Sequence, residues 1–263
     1  MFVRNVMTIW KKEIKGYFYT PLAYVFIGLF TLLMGFMFLF FLQTYMVYTQ
    51  RSQFGMAPAI TIDRLAEAFY ANMHFIIMMI LPLFTFRLFT EESRQNTLVL
   101  LMTSPIRTWE LVISKFKAAS TVLLIKLGLT LIFPFFLILY SAGGPGGGPD
   151  MGIIVSTYVG LILTGLGYVS IGLFWSSVTE SVLIALVLTF VTNFTFGILF
   201  CIAAQGMGPG PLQEAVKHLC FNEHLTNFLK GSIELRSVVY MVTIIFVFLF
   251  LTNRSLESRS WRS

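Results

Sequence analysis

Six long apolar stretches, separated by short polar segments, constrain this chain more than any other feature of its sequence. A helix of roughly 20 residues, with about 17 as the lower limit, crosses the hydrocarbon core of a bilayer, and each stretch reaches that length. Continuous apolar runs predict helices, because the strands of a membrane barrel alternate and are about half as long. We therefore predict an all-α, polytopic membrane protein that forms a single transmembrane domain over residues 1–263. The predicted spans are residues 22–42, 68–86, 118–140, 152–178, 181–204 and 237–253.

The composition and the distribution of charge agree with a membrane protein. Hydrophobic residues make up 57% of the chain and charged residues only 11%, a balance that excludes an ordinary soluble domain. Twelve lysines and arginines fall in the terminal segments and alternate connections, against five in the connections between them. Because positively charged segments stay in the cytoplasm, this bias predicts an even number of crossings with both termini inside. The net charge of +6 thus reflects topology, and we expect no nucleic-acid partner.

Residues 1–20, ahead of the first apolar stretch, predict an amphipathic helix that ends at Pro21. One face is apolar and carries Val3, Met7, Trp10, Ile14 and Tyr17. The other face is basic and polar and carries Arg4, Thr8, Lys11, Lys12 and Lys15, with Ile9 alone out of place. This arrangement is typical of a helix lying in the cytoplasmic membrane interface. A soluble partner-binding helix fits the same pattern.

Residues 87–117 form the longest connection on the predicted cytoplasmic side. Glu91 and Glu92 lie near its start, and apolar residues such as Leu98 and Leu101 follow before Pro105. Leucines so close to charges, on a connection that faces water, indicate a short helix that contacts a partner protein. The alternative is that these leucines pack against the membrane ends of the chain's own helices.

Residues 205–236 lie on the predicted outer side and are too short and too charged to span the membrane. Helix-breaking residues at positions 206–211 precede an amphipathic stretch over residues 212–220, which predicts short re-entrant or interfacial helices. Cys201 and Cys220 both lie on this side, where disulfides are permitted. Their separation in the sequence does not decide whether they pair.

No set of residues predicts catalysis or metal binding. His218, Cys220, Glu223 and His224 lie close together, but their spacing matches no standard zinc pattern. The glycine-rich segment 141–150 has no Lys-Ser or Lys-Thr pair after it, and the chain contains no Walker lysine motif, so any ATP-driven step requires another subunit. Lys126 lies inside an apolar stretch, and we expect its amine to reach back toward the cytoplasmic face.

Together these features resemble the type-2 ABC exporter permeases. The resemblance rests on the basic amphipathic helix, the six apolar stretches and the segment that runs from Glu91 and Glu92 through Thr97-Leu98 to Pro105. Two further segments, residues 231–236 and 254–262, are most similar to the permease subunit associated with bacterial gliding motility and to the related permease of nitrous oxide reductase maturation. Relatives commonly carry a glycine before the Thr-Leu pair, where this chain has Asn96.

The resemblance implies a multi-pass permease in the bacterial cytoplasmic membrane that pairs with itself or with a sister permease. A separate cytoplasmic ABC ATPase would bind ATP and Mg²⁺, and no cofactor is expected in this chain. The implied function is ATP-driven export, in a system of the gliding-motility type. The alternatives are a force-transmitting subunit that moves no substrate and, less favoured because charge inside the spans is scarce, a stand-alone transporter or channel. By position, the ATPase-coupling role falls to Glu91, Glu92, Thr97, Leu98, Leu101 and Pro105.

Overall fold

The computed structural model describes residues 2–19, 21–54, 62–94, 107–141 and 150–260, which are almost entirely helical and contain no strand. Single-residue turns at Leu81, Phe86 and Leu131, each with backbone angles in the right-handed helical region, separate helices that follow one another directly. In chain order the helices are α1 (Phe2–Tyr19), α2 (Pro21–Gln53), α3 (Ile62–Ile80), α4 (Pro82–Thr85), α5 (Arg87–Arg94), α6 (Thr108–Thr130), α7 (Ile132–Ser141), α8 (Met151–Val178), α9 (Val182–Phe194), a π-helix (Thr195–Leu199), α10 (Phe200–Gly206), α11 (Pro211–His218), α12 (Phe221–Leu229) and α13 (Leu235–Ser260).

Within the described ranges, six helical stretches are long and apolar enough to cross a membrane, judged by length and composition. The predicted all-α, polytopic architecture is confirmed. The helices extend beyond the apolar stretches, because helical hydrogen bonding continues into the polar residues that flank them. The six stretches are Tyr24–Ser52, Ile62–Arg94, Thr108–Leu139, Met151–Val178, Val182–Gly206 and Leu235–Ser258.

Helix α8 is the centre of the bundle, and α3, α4, α5, α6, α9, α12 and α13 all pack against it. Its glycines allow this close approach: a Cβ atom placed on Gly160 would lie 2.7 Å from Cβ of Phe228, and one on Gly165 would lie 2.7 Å from Cδ2 of Leu123. Helices α2 and α13 lie at the periphery, where large apolar side chains such as Leu32 and Phe246 remain exposed. Such exposure is expected of surfaces that face lipid.

The two ends of α8 contact different parts of the chain. Near its start, the Ser156 hydroxyl donates to the carbonyl of Phe228 at 2.7 Å, and near its end the Ser176 hydroxyl donates to the carbonyl of Phe86 at 3.0 Å. These serines are separated by about 30 Å at the helical rise, which matches the thickness of the hydrocarbon core. The Ser255 hydroxyl of α13 donates to the carbonyl of Ser177, so the end of α13 lies at the same end of the bundle as α5.

Helices α10 to α12 form the end of the bundle opposite α5. A disulfide between Cys201 and Cys220, with Cα atoms 5.4 Å apart, joins α10 to the turn between α11 and α12. The sequence left this pairing open. In α12, His224 Nε2 donates to the carbonyl of His218, and Nδ1 accepts from the Ser237 hydroxyl at 3.0 Å. The rings of His218, His224 and Tyr240 pack together with centroids 4.4 to 5.2 Å apart.

Candidate functional site

Two of the six predicted coupling residues, Glu91 and Glu92, lie on α5, at the end of the second span. Glu91 is exposed and Glu92 is half-buried. The other four, Thr97, Leu98, Leu101 and Pro105, lie outside the described residues, as does Asn96. The described part of the coupling segment is therefore α5 together with the start of α6.

Ser176 of α8 determines where α5 begins. Its hydroxyl oxygen accepts hydrogen bonds from the backbone amides of Phe89 and Thr90, at 2.7 and 3.2 Å, while it donates to the carbonyl of Phe86. A side chain inserted into the backbone ladder in this way interrupts a helix. The second span is interrupted earlier as well, at Leu81, where Pro82 lacks an amide hydrogen. Helix α5 is thus a separate short helix, anchored to the end of α8.

A buried lysine connects three helices at this end of the bundle. The Lys115 ammonium of α6 lies 2.9 Å from Oε1 of Glu92 on α5 and 3.1 Å from Oε1 of Glu13 on α1. The lysine side chain is 2% exposed and the two carboxylate side chains are 20% and 16% exposed. The ammonium also lies 5.1 Å from the centroid of the Phe89 ring. We call Glu13, Glu92 and Lys115 the carboxylate–lysine cluster.

Helix α1 is held along the first half of α6 by further polar contacts. The Asn5 amide donates to Oε2 of Glu110 at 3.1 Å, and the same oxygen accepts from the backbone amide of Arg107, so it also caps the start of α6. The Trp10 indole donates to the Thr121 hydroxyl at 3.1 Å. These contacts fix how α1 is rotated about its axis relative to the bundle.

The predicted apolar face of α1 is divided between the bundle and its surroundings. Trp10, Ile14 and Tyr17 are partly buried, whereas Val3 is 72% exposed and Met7 is 37% exposed. Val6, which was not part of the predicted face, is buried, and Ile9 packs against the core although it had been out of place. The hydrophobic pattern and the contact face do not coincide, because the contact face also includes the polar residues Asn5 and Glu13.

Tyr17 of α1 lies within electrostatic range of the acidic residues at this end of the bundle. Burial raises the pKa of Tyr17, and the negative charges of Glu13, Glu91 and Glu92 raise it further. The tyrosine is therefore neutral at physiological pH. Three carboxylates near one buried hydroxyl produce a negative potential, which the Lys115 ammonium partly offsets.

Lys126 of α6 is buried deeper in the bundle. The sequence led us to expect that its amine reaches the cytoplasmic face, but in the structure the amine does not reach the surface. Its side chain is 3% exposed, and Nζ lies 3.4 Å from the centroid of the Phe84 ring and 5.8 Å from that of Phe30. Tyr17 lines the same small cavity as Lys126, together with residues of α4 and α8. No ion pair within the described part of the chain involves Lys126, whose ammonium instead makes cation–π contacts with the two aromatic rings.

Sequence reasoning did not identify Glu13, Lys115 or Ser176 as members of this site. Lys115 had been counted only as one of the topology-setting cations. The sequence places Lys115 near the predicted start of a span. A lysine at such a position can be exposed as readily as buried, so the position alone does not indicate an ion pair. Glu13 carried a clearer signal, since it is the only acidic residue in the first 20 positions.

The fold and this site define the class of protein: a multi-pass α-helical membrane protein in which a docked N-terminal helix and a short helix at the end of the second span meet at one end. The model of the ABC-2 family transporter proteins matches residues 7–252. The chain belongs to this family and is a permease subunit of an ABC transport system. None of the curated proteins compared with it matches significantly.

Proposed function

We propose that this chain is the membrane subunit of an ATP-driven exporter, and that a separate cytoplasmic ATPase engages the end of the bundle formed by α1, α5 and the start of α6. The carboxylate–lysine cluster carries the proposal. The cluster joins α5, which bears predicted coupling residues, and α1, which bears the predicted interfacial residues, to α6, which is one of the spans. A force applied to α5 is thereby transmitted both to α1 and to a helix that crosses the membrane.

The proposed orientation places this end in the cytoplasm of a bacterium, within its inner membrane. The charge distribution of the sequence supports it. The disulfide at the opposite end supports it as well, because disulfides persist on the extracytoplasmic side and are rare in the cytoplasm. The proposed functional unit is a dimer with a second copy or with a sister permease. The motifs at residues 231–236 and 254–262, which resemble those of the gliding-motility permease and of the nitrous-oxide-reductase-maturation permease, support a proposal that the exporter is of this type.

The first experiment is purification of the chain from its native membrane in mild detergent, with mass spectrometry of the proteins that accompany it. Recovery of an ABC-type ATPase is the expected result. Its absence, combined with transport activity of the chain alone in a flux assay, would refute the proposal.

A second experiment tests the cluster itself. In proteoliposomes that contain the ATPase, Glu92→Gln and Glu13→Gln are expected to reduce the permease-dependent stimulation of ATP hydrolysis while the complex stays assembled. Glu223→Gln is the matched control, because it breaks an exposed ion pair with Lys217 at the opposite end of the bundle. Stimulation at the parent level in both cluster variants would remove the coupling assignment without affecting the association result.

A further inference from the structure

Helix α1 presents a strongly cationic face that no part of the described bundle covers. Arg4, Lys11, Lys12 and Lys15 are all exposed, and they project within an arc of about 100° at 3.6 residues per turn. The contact face of α1 lies elsewhere on the helix, because Val6, Ile9 and Glu13 point toward α6 and the core.

The charge of this face is not neutralised within α1. Glu13 is the only acidic residue of the helix, and its carboxylate is bound to the Lys115 ammonium at 3.1 Å on the opposite, bundle-facing side. The cationic face is also held in a fixed orientation, because Asn5 and Trp10 hydrogen-bond to α6. A docked helix presents its charges in one direction, which a freely rotating helix would not.

Helix α1 lies next to the start of the first span and beside an exposed apolar part of α6. A single residue separates its last turn from α2, whose described span starts at Tyr24. Trp10 contacts Thr121, and one turn further along α6 Leu124 is 46% exposed, as expected of a lipid-facing side chain. Val3 and Met7 are exposed next to the cations, so the helix offers apolar side chains and positive charge to the same surface. This combination matches the headgroup region of a membrane.

We propose that this face of α1 binds the anionic phospholipid headgroups of the adjacent leaflet. Each lysine or arginine near an anionic membrane surface contributes about a fivefold preference for it. Four cations in one arc therefore select anionic over zwitterionic lipid around α1. This binding goes beyond the coupling role, and its test requires no ATPase.

The test uses the fluorescence of Trp10, which lies on this helix. The chain contains four tryptophans, and a variant with Trp109→Phe, Trp175→Phe and Trp261→Phe retains only Trp10. The protein is reconstituted into mixed phosphatidylglycerol and phosphatidylcholine bilayers in which one lipid at a time carries brominated chains, which quench nearby tryptophan. Severalfold stronger quenching by brominated phosphatidylglycerol is expected at low salt. The difference should decrease at high salt, since salt screens exposed charges.

Lys11→Gln, Lys12→Gln and Lys15→Gln, combined in the same background, are expected to bring the two quenching efficiencies close to equality. The matched control removes three exposed cations away from α1, by Arg51→Gln, Arg64→Gln and Lys230→Gln, and should keep the preference. Native mass spectrometry of the four-tryptophan chain measures retained phosphatidylglycerol independently of the tryptophan substitutions.

Three results would overturn the proposal. The first is equal quenching by the two brominated lipids in the parent. The second is the same loss of preference in the control as in the α1 variant. The third is an unchanged lipid preference in the α1 variant together with lost binding of a copurifying protein, which would assign the face to a protein partner instead.

Discussion

The two buried lysines of α6 allow a direct test of how charge is accommodated in this bundle. Lys115 neutralises two largely buried carboxylates at 2.9 and 3.1 Å, whereas Lys126 is surrounded by aromatic rings without a carboxylate partner in the described residues. Replacing each lysine with Met removes the same charge and keeps a similar side-chain volume. The two substitutions should nevertheless have very different effects on stability.

Lys115→Met leaves Glu13 and Glu92 close together, each at most 20% exposed and without their shared cation. Breaking a buried ion pair in this way costs about 3–5 kcal/mol. Lys126→Met loses a cation–π contact worth about 2 kcal/mol, but it also removes the cost of burying an unpaired charge, which is several kcal/mol. We therefore expect a net change within about 1 kcal/mol of zero, or a gain in stability.

The measurement is the thermal unfolding midpoint of each purified variant in the same detergent. Lys115→Met should lower the midpoint by roughly 10 °C and Lys126→Met should change it by no more than a few degrees. The control is the triple variant Glu13→Gln, Glu92→Gln, Lys115→Met, which has no uncompensated charge and should recover most of the loss. Equal shifts for the two single variants, or no recovery in the triple variant, would refute the electrostatic reasoning.

Three further predictions concern helix packing and the end of the bundle opposite α5. Gly160→Ala should lower the thermal unfolding midpoint, because the added Cβ would lie 2.7 Å from Cβ of Phe228. Gly128→Ala, whose added Cβ would meet no neighbouring atom within 4 Å, should leave the midpoint unchanged or raise it slightly. Similar shifts in the two variants would contradict this packing. Cys201→Ser should reduce the free energy of unfolding by about 3 kcal/mol, because it removes the disulfide to Cys220. A reducing agent should lower the unfolding midpoint of the parent but not that of the variant. A parent midpoint that does not respond to the reducing agent would argue against the disulfide. Burial lowers the pKa of His224, and this effect outweighs the hydrogen bond to the His218 carbonyl, which raises it. The neutral ring is therefore favoured in the folded state, and stability should fall as pH decreases below about 6.5. Unfolding midpoints measured between pH 7.5 and 5.5 should therefore decrease more in the parent than in His224→Gln, and parallel decreases would exclude this residue as the cause.

The fold class was predictable from the sequence, and the coupling end only in part. Each apolar stretch identifies its own helix, because lipid forces the backbone to satisfy its hydrogen bonds within the segment. The amphipathic pattern of α1 was also visible, but not its contact face. Hydrophobic periodicity records apolar residues such as Val3 and Met7, whereas the docked face depends on Asn5, Glu13 and their partners on α6.

The sequence by itself determined that this chain is a multi-pass helical membrane protein with six stretches long and apolar enough to cross a membrane, and that its first helix is basic and amphipathic. Each apolar stretch, like the amphipathic pattern of α1, is contained within about 20 consecutive residues. Only the tertiary structure decided that Lys115 meets a residue 102 positions before it and another 23 positions before it, and that Ser176 interrupts the second span from α8. Charges separated by this distance along the chain meet only when the helices pack, because the position of each side chain then depends on the rotation and depth of its whole helix.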